Sequence, residues 1–317
     1  MSAATARRTE PAPTVGAVGA DPTLALARVE ALRLLRHPAF VAGALGSILA
    51  VRNGLAIDPL ETWSGADYWA TFVGWFPLWL GTLVAAALGA GRGRLAADAD
   101  LFPGVPTTAR TRVLAHVVAL AAPVAVAVVA TSVVAVGVAR DGGFRQGDGP
   151  YAELVVPPVT EWAQVPLLVL LAGVVGIAVA NLPRWRLGAL LSVSLVTFLT
   201  TAAHWIVEGT RLRALHPLMA VASERRLPDD FRPTEWVAGD PPLRRPDEYA
   251  RFWRQVDFDT TAMALHLVYL VGIVVAVVLL AMRVADDDGR RPPLRLGAVL
   301  VPTVVTGVLQ VLLAGPR

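Results

Sequence analysis

Seven stretches of about 20 mostly apolar residues, at 39–57, 68–90, 113–139, 162–182, 187–207, 260–282 and 296–314, leave this chain few folds to choose from. An α-helix needs about that length to cross the ~30 Å hydrocarbon core of a bilayer, and inside lipid each backbone polar group must be satisfied within its own segment. The expectation is an all-α polytopic membrane protein with about seven transmembrane helices. The first stretch is the weakest, because Arg52 and Asn53 sit inside it, although Arg52 is close enough to an end to snorkel. Trp63, Trp69, Trp162, Trp185 and Trp205 fall at or near span ends, as an aromatic belt requires.

Composition narrows the chemistry further. The chain is 55% hydrophobic and 17% charged over 317 residues, outside the range of soluble domains. All 28 basic residues are arginine. Without lysine there is no phosphate-binding loop of the G-x-x-x-x-G-K-[ST] type and no Schiff-base nucleophile, so ATP hydrolysis is not expected on this polypeptide. Without cysteine there is no thiol catalysis, thiolate metal site or disulfide. No cofactor or metal is predicted, and the chain is not expected to be an enzyme. The net charge of +3 is too small for a nucleic-acid-binding face; the arginines are better explained by membrane sidedness.

Residues 1–20, rich in Ala, Pro and Thr, read as a disordered tail, and residues 21–317 as one transmembrane domain. Asp21 and Pro22 form an N-cap and first-turn pair, and Pro38 ends the segment they open. Arg28, Arg33 and Arg36 there alternate with Leu24, Val29, Leu32 and Leu35, which predicts an imperfect interfacial helix. On alternate sides of the seven spans, the short segments carry fifteen arginines against four. The positive-inside rule then predicts a cytoplasmic N-terminus in a multi-pass protein of the cell membrane.

Two segments outside the spans carry functional signals. The cytoplasmic link at 91–112 sets Leu101, Phe102 and Pro103 among charges that include Asp100, Arg110 and Arg112, where a protein partner or the lipid headgroups can meet Phe102. The outer loop at 208–259 holds Asp247 as a cap and Tyr249, Phe252, Trp253 and Val256 on one predicted helical face. Smaller signals have plain readings. Gly89, Gly91 and Gly93 point to close helix packing or a helix end rather than a nucleotide loop; His204 and Glu208 lack a third metal ligand; Asp259 and His266 favour a polar packing contact over a proton relay; Asp286 to Asp288 read as a solvated turn.

Four features together resemble the permease subunits of type-2 ATP-binding-cassette (ABC) exporters. They are Arg33, Leu34, Leu35, Arg36, His37 and Pro38 leading into the first span; Asp100, Leu101, Phe102 and Pro103 with Arg110 and Arg112 before the third; the order of spans; and the run from Leu265 and His266 through Tyr269 and Gly272 into an apolar span ending at Arg283. The resemblance implies a six-helix permease core, here with one extra C-terminal span. It implies an elbow helix containing Arg28, Arg33 and Arg36, and a coupling region containing Asp100, Leu101, Phe102 and Arg110 that docks on a separate ABC ATP-binding subunit. It further implies a homo- or heterodimer of permeases in membrane lipid. From a different class, a membrane enzyme or scaffold would work through the loop at 208–259, with Glu208, His216, Asp229 and Asp230 as its candidate groups. A secondary carrier is a third reading, disfavoured by spans poor in ionisable residues.

Overall fold

The structure is a computed structural model that describes residues 21–57, 66–98, 108–146, 153–181, 193–199, 202, 206, 211–217, 223–226, 254–257, 260–285 and 294–313. Helix α1 (Pro22–Leu35) opens where expected: the Asp21 carboxylate accepts from the Thr23 amide at 2.9 Å, and Pro22 occupies the first turn. Arg36 and His37 close it, and Pro38 begins α2 (Pro38–Leu55), with the His37 imidazole Nδ1 accepting from the Ala39 amide at 3.2 Å.

Two of the expected spans are each two helices, and proline explains both breaks. The second consists of α3 (Ala66–Val73) and α4 (Phe76–Asp98). Pro77 lacks an amide hydrogen and its ring crowds the carbonyl four residues back, at Val73, where α3 stops. The third consists of α5 (Ala109–Ala119) and α6 (Ala121–Arg140), with Pro123 acting in the same way on Ala119. Two glycines with positive φ, Gly142 (91°) and Gly143 (112°), turn the chain after α6 into a short hairpin of β1 (Phe144–Gln146) and β2 (Glu153–Val155). Then come α7 (Val159–Asn181), a helical stretch at 193–199, a 3-10 turn at Arg211–Leu215, the paired strands β3 (Ser223–Arg226) and β4 (Arg254–Asp257), α8 (Thr260–Ala285) and α9 (Leu294–Leu313).

The protein is an all-α polytopic membrane protein. Among the described residues five helical segments are long and apolar enough to cross a bilayer: Pro38–Leu55, Ala66–Arg92, Ala109–Arg140, Val159–Asn181 and Thr260–Ala285. The C-terminal stretch is a shorter apolar helix, and the expected span at 187–207 lies mostly outside the described residues. α4 and α7 form the centre of the bundle. In α7 67% of the apolar window is buried, against 22% in α8. Leu83 and Ala87 of α4 meet Ala172 and Val179 of α7 there. The outer helices turn Ile48, Leu49, Val129, Val133, Val301 and Val304 outward, an apolar surface suited to lipid or to another membrane helix.

Glycine permits the closest crossing. A Cβ on Gly43 of α2 would meet the Pro77 carbonyl oxygen and lie 3.0 Å from the Gly81 Cα of α4. Nearby, Ser47 Oγ accepts from the Leu78 amide at 2.8 Å, satisfying a first-turn donor of α4 from the neighbouring helix.

Candidate functional site

α1 packs against α5 with one face and turns the apolar residues of the expected interfacial face outward. Ala27, Glu30 and Leu34 are buried, whereas Leu24, Val29 and Leu32 are exposed together with Arg28 and Arg36. The reason is electrostatic as well as steric. Glu30 is 7% exposed and is held by Arg33, which donates to its Oε1 at 2.6 Å, while His116 of α5 stands 3.9 Å from its Oε2. Arg92 and Arg112 lie close enough to act on the His116 charge, making a basic rim around one buried acid. Arg92 and burial also hold the His37 imidazole below its usual range, burial being the larger cause.

Among the residues expected to couple to a partner, Arg110 stands in the first turn of α5, half-buried, two residues after the Thr108 cap whose Oγ1 accepts from the Thr111 amide at 3.1 Å. Asp100, Leu101 and Phe102 lie outside the described residues, as do His204, Glu208, Asp229, Asp230, Asp259, Asp286 to Asp288 and the expected helix around Tyr249 to Val256. α4 continues to Asp98, so the first eight residues of the expected cytoplasmic link are helical. Gly89 and Gly91 are inside α4 and not at its end, and among the described residues a Cβ at either would meet no neighbour within 4 Å.

The second polar site joins α3 and α7. The Tyr68 hydroxyl donates to Glu161 Oε1 at 2.5 Å, and both side chains are essentially inaccessible, at 1% and 0%. Glu161 Oε2 has no hydrogen-bond partner among the described residues. Tyr68 is one of four rings packed on one another: Tyr68 to Phe72 at 4.7 Å, Phe72 stacked on Trp162 at 5.1 Å, Trp162 to Phe144 at 6.2 Å and Phe144 to Tyr68 at 5.6 Å. Phe144 comes from the β1–β2 hairpin. Asp67 ties the hairpin to α3 by accepting from the backbone amides of Tyr68, at 2.8 Å, and Arg145.

The third site joins α8, α9 and the 3-10 turn. Gln310 Nε2 donates to the Ala214 carbonyl and to His266 Nδ1, each at 2.6 Å, and Tyr269 donates to the Leu215 carbonyl at 3.1 Å. His266 and Gln310 are both 0% exposed, and His216 is buried close to them. His266 thus makes the polar packing contact its sequence context favoured, with a partner from the C-terminal helix. Among the described residues no group of three or more His, Cys, Asp or Glu side chains could hold a metal ion.

Glu30, His116, Tyr68, Glu161 and Gln310 are polar centres that sequence reasoning passed over. Glu161 immediately precedes the apolar run at 162–182 and so reads as a loop residue, yet α7 begins earlier, at Val159. The usable signal is a carboxylate one residue outside an apolar run with an aromatic next to it. In comparisons with protein-family models, curated proteins and solved structures, the chain matches none.

Proposed function

We propose that this chain is the membrane-spanning subunit of an ATP-driven exporter of the type-2 ABC kind, working as a homo- or heterodimer of permeases with ATP hydrolysis on a separate ABC subunit. It spans the cell membrane with its N-terminus in the cytoplasm, and counts about seven crossings once the stretches at 187–207 and 296–314 are included. One observation carries the reading. α1 packs along α5, the helix that emerges from the link at 99–107, with the buried Glu30 of α1 at 3.9 Å from His116 of α5, so the N-terminal helix and the foot of the third span lie together next to that link. A partner pushing on the link would move α1 and α5 together and so shift α2, which follows α1 directly across His37. Coupling of this kind requires two helix arrangements with different affinity for the ATP-bound partner.

The test is Leu101→Asp combined with Phe102→Asp, followed by purification in mild detergent and mass spectrometry. Loss of a co-purifying ATP-binding protein with membrane insertion intact is expected. Unchanged co-purification, or the lack of any such protein with the unaltered chain, counts against the reading. A secondary carrier is a second reading, favoured by the buried Glu161 carboxyl, since ionisable groups within membrane bundles mark ion and substrate paths. It predicts transport in vesicles driven by an ion gradient without ATP.

A further inference from the structure

Three helices bring arginines together at the end of the bundle where α1 runs into α2. α1 packs along α5, and both touch α4. Arg33 of α1, Arg92 of α4 and Arg112 of α5 all lie close enough to act on the buried His116 imidazole, and Arg92 acts on His37 at the α1–α2 junction as well. Among the described residues Glu30 is the one carboxylate that bears on His116. It takes up a single guanidinium nitrogen of Arg33, Nη1, at 2.6 Å, while the Arg33 side chain stays 62% exposed, so the remaining donors face outward from a fixed root. Arg92 is exposed, and among the described residues no carboxylate lies within ion-pair distance of it. One acid against three guanidinium groups leaves positive charge in excess.

Depth and surroundings choose the anion. Arg92 ends one apolar crossing segment, Ala66–Arg92, Arg112 stands near the start of another, Ala109–Arg140, and Arg33 precedes a third, Pro38–Leu55, so the three charges sit at the level where helices enter lipid headgroups. Leu24, Val29 and Leu32 of α1 are roughly half exposed on the same helix as Arg33. A soluble anion would neutralise the arginines and leave these side chains in water. An anionic phospholipid meets both needs, because its phosphate oxygens accept paired N–H bonds from guanidinium and its acyl chains cover the apolar side chains. We propose that Arg33, Arg92 and Arg112 form a binding site for the headgroup of an anionic phospholipid, with Glu30 as the positioning residue that holds Arg33 and the apolar side chains of α1 lying against the acyl chains. A zwitterionic lipid has the same phosphate but carries its own cation, which this cluster repels. The site stands apart from the exporter reading, since binding needs neither ATP nor a partner chain.

The test is native mass spectrometry of the purified full chain, stripped of lipid in mild detergent and titrated with dioleoylphosphatidylglycerol or dioleoylphosphatidylcholine. Phosphatidylglycerol is expected to be retained at least about ten-fold more tightly, and Arg92→Gln, at an exposed position, to weaken it about five-fold. Arg92→Gln with Arg112→Gln is expected to bring it close to phosphatidylcholine, whereas Arg140→Gln, exposed at the far end of α6, leaves it unchanged. Should the double variant not fold, Arg92→Gln alone decides. Equimolar inorganic phosphate is expected not to displace the lipid. Equal retention of the two lipids, affinity unmoved by the Arg92 substitution, an equal loss with Arg140→Gln, or full displacement by inorganic phosphate overturns the proposal. Unmoved lipid retention together with loss of a co-purifying protein also overturns it, and gives the arginines to a protein partner instead.

Discussion

At the level of single residues, two buried polar side chains are hydrogen-bonded to another element, Glu161 of α7 to Tyr68 of α3 and His266 of α8 to Gln310 of α9, while Glu30 pairs with Arg33 on its own helix and lies 3.9 Å from His116 of α5. In an interior of Ala, Val and Leu such pairs fix which helix faces meet, because a one-turn slip would strand both groups. His37 works at a helix end instead. As a neutral acceptor it caps α2, and burial together with Arg92 lowers its pKa in the folded state. In the unfolded chain it titrates near the ordinary value of 6.5. A depressed histidine binds its proton less readily when folded, so its contribution is complete above about pH 6.5 and falls away as the pH drops through and below that value. Its partial exposure keeps the effect small. His37→Asn keeps a capping oxygen that does not titrate. The expected result is a melting-temperature difference between the two proteins in detergent that moves in favour of the asparagine variant as the pH is lowered from about 7.5 to about 5. A constant difference would show that His37 does not titrate in this range.

At the level of elements, proline and glycine decide where helices break and how near they come. Pro77 and Pro123 divide two apolar runs that look continuous, since hydropathy does not register a missing amide hydrogen. Gly43 and Gly89 are indistinguishable in local sequence, both being glycines in apolar helices, but only Gly43 of the two faces another backbone. Gly43→Leu should therefore drive α2 from α4 and cost about 3 kcal/mol or more, read as lost monodisperse protein or a sharply lowered melting temperature. Gly89→Ala should be neutral or stabilise by roughly 0.5–1 kcal/mol, as alanine does for glycine within a helix. Equal sensitivity at the two positions would contradict the packing of α2 on α4.

At the level of the whole molecule, two central helices carry the core and the remainder sit around them with apolar faces toward lipid. Orientation in the membrane is then a matter of arginine distribution, fifteen against four in the short segments. The chain has no cysteine, so single introduced thiols report sidedness without background. Leu154→Cys on the hairpin is expected to react with a membrane-impermeant maleimide in intact cells, and Arg36→Cys at the end of α1 only after permeabilisation. Both positions are exposed, and the reverse pattern would invert the topology and with it the cytoplasmic placing of the link at 99–107.

That the protein is a helical membrane protein, and where most of its apolar helices run, was legible in the order of residues, because crossing lipid demands long apolar segments with internally bonded backbone, a local property that hydropathy reads directly. The starts of α1 and α2 were legible for the same reason, since Asp21, His37 and the prolines act on their immediate neighbours. The buried face of α1, the glycines that make contacts, and the place of Glu161 in the first turn of α7 under the Tyr68 hydroxyl emerged only from the packing of the bundle. Those outcomes depend on residues far apart in the chain, Tyr68 and Glu161 being 93 positions apart, and no periodicity within either helix encodes its partner across the bundle.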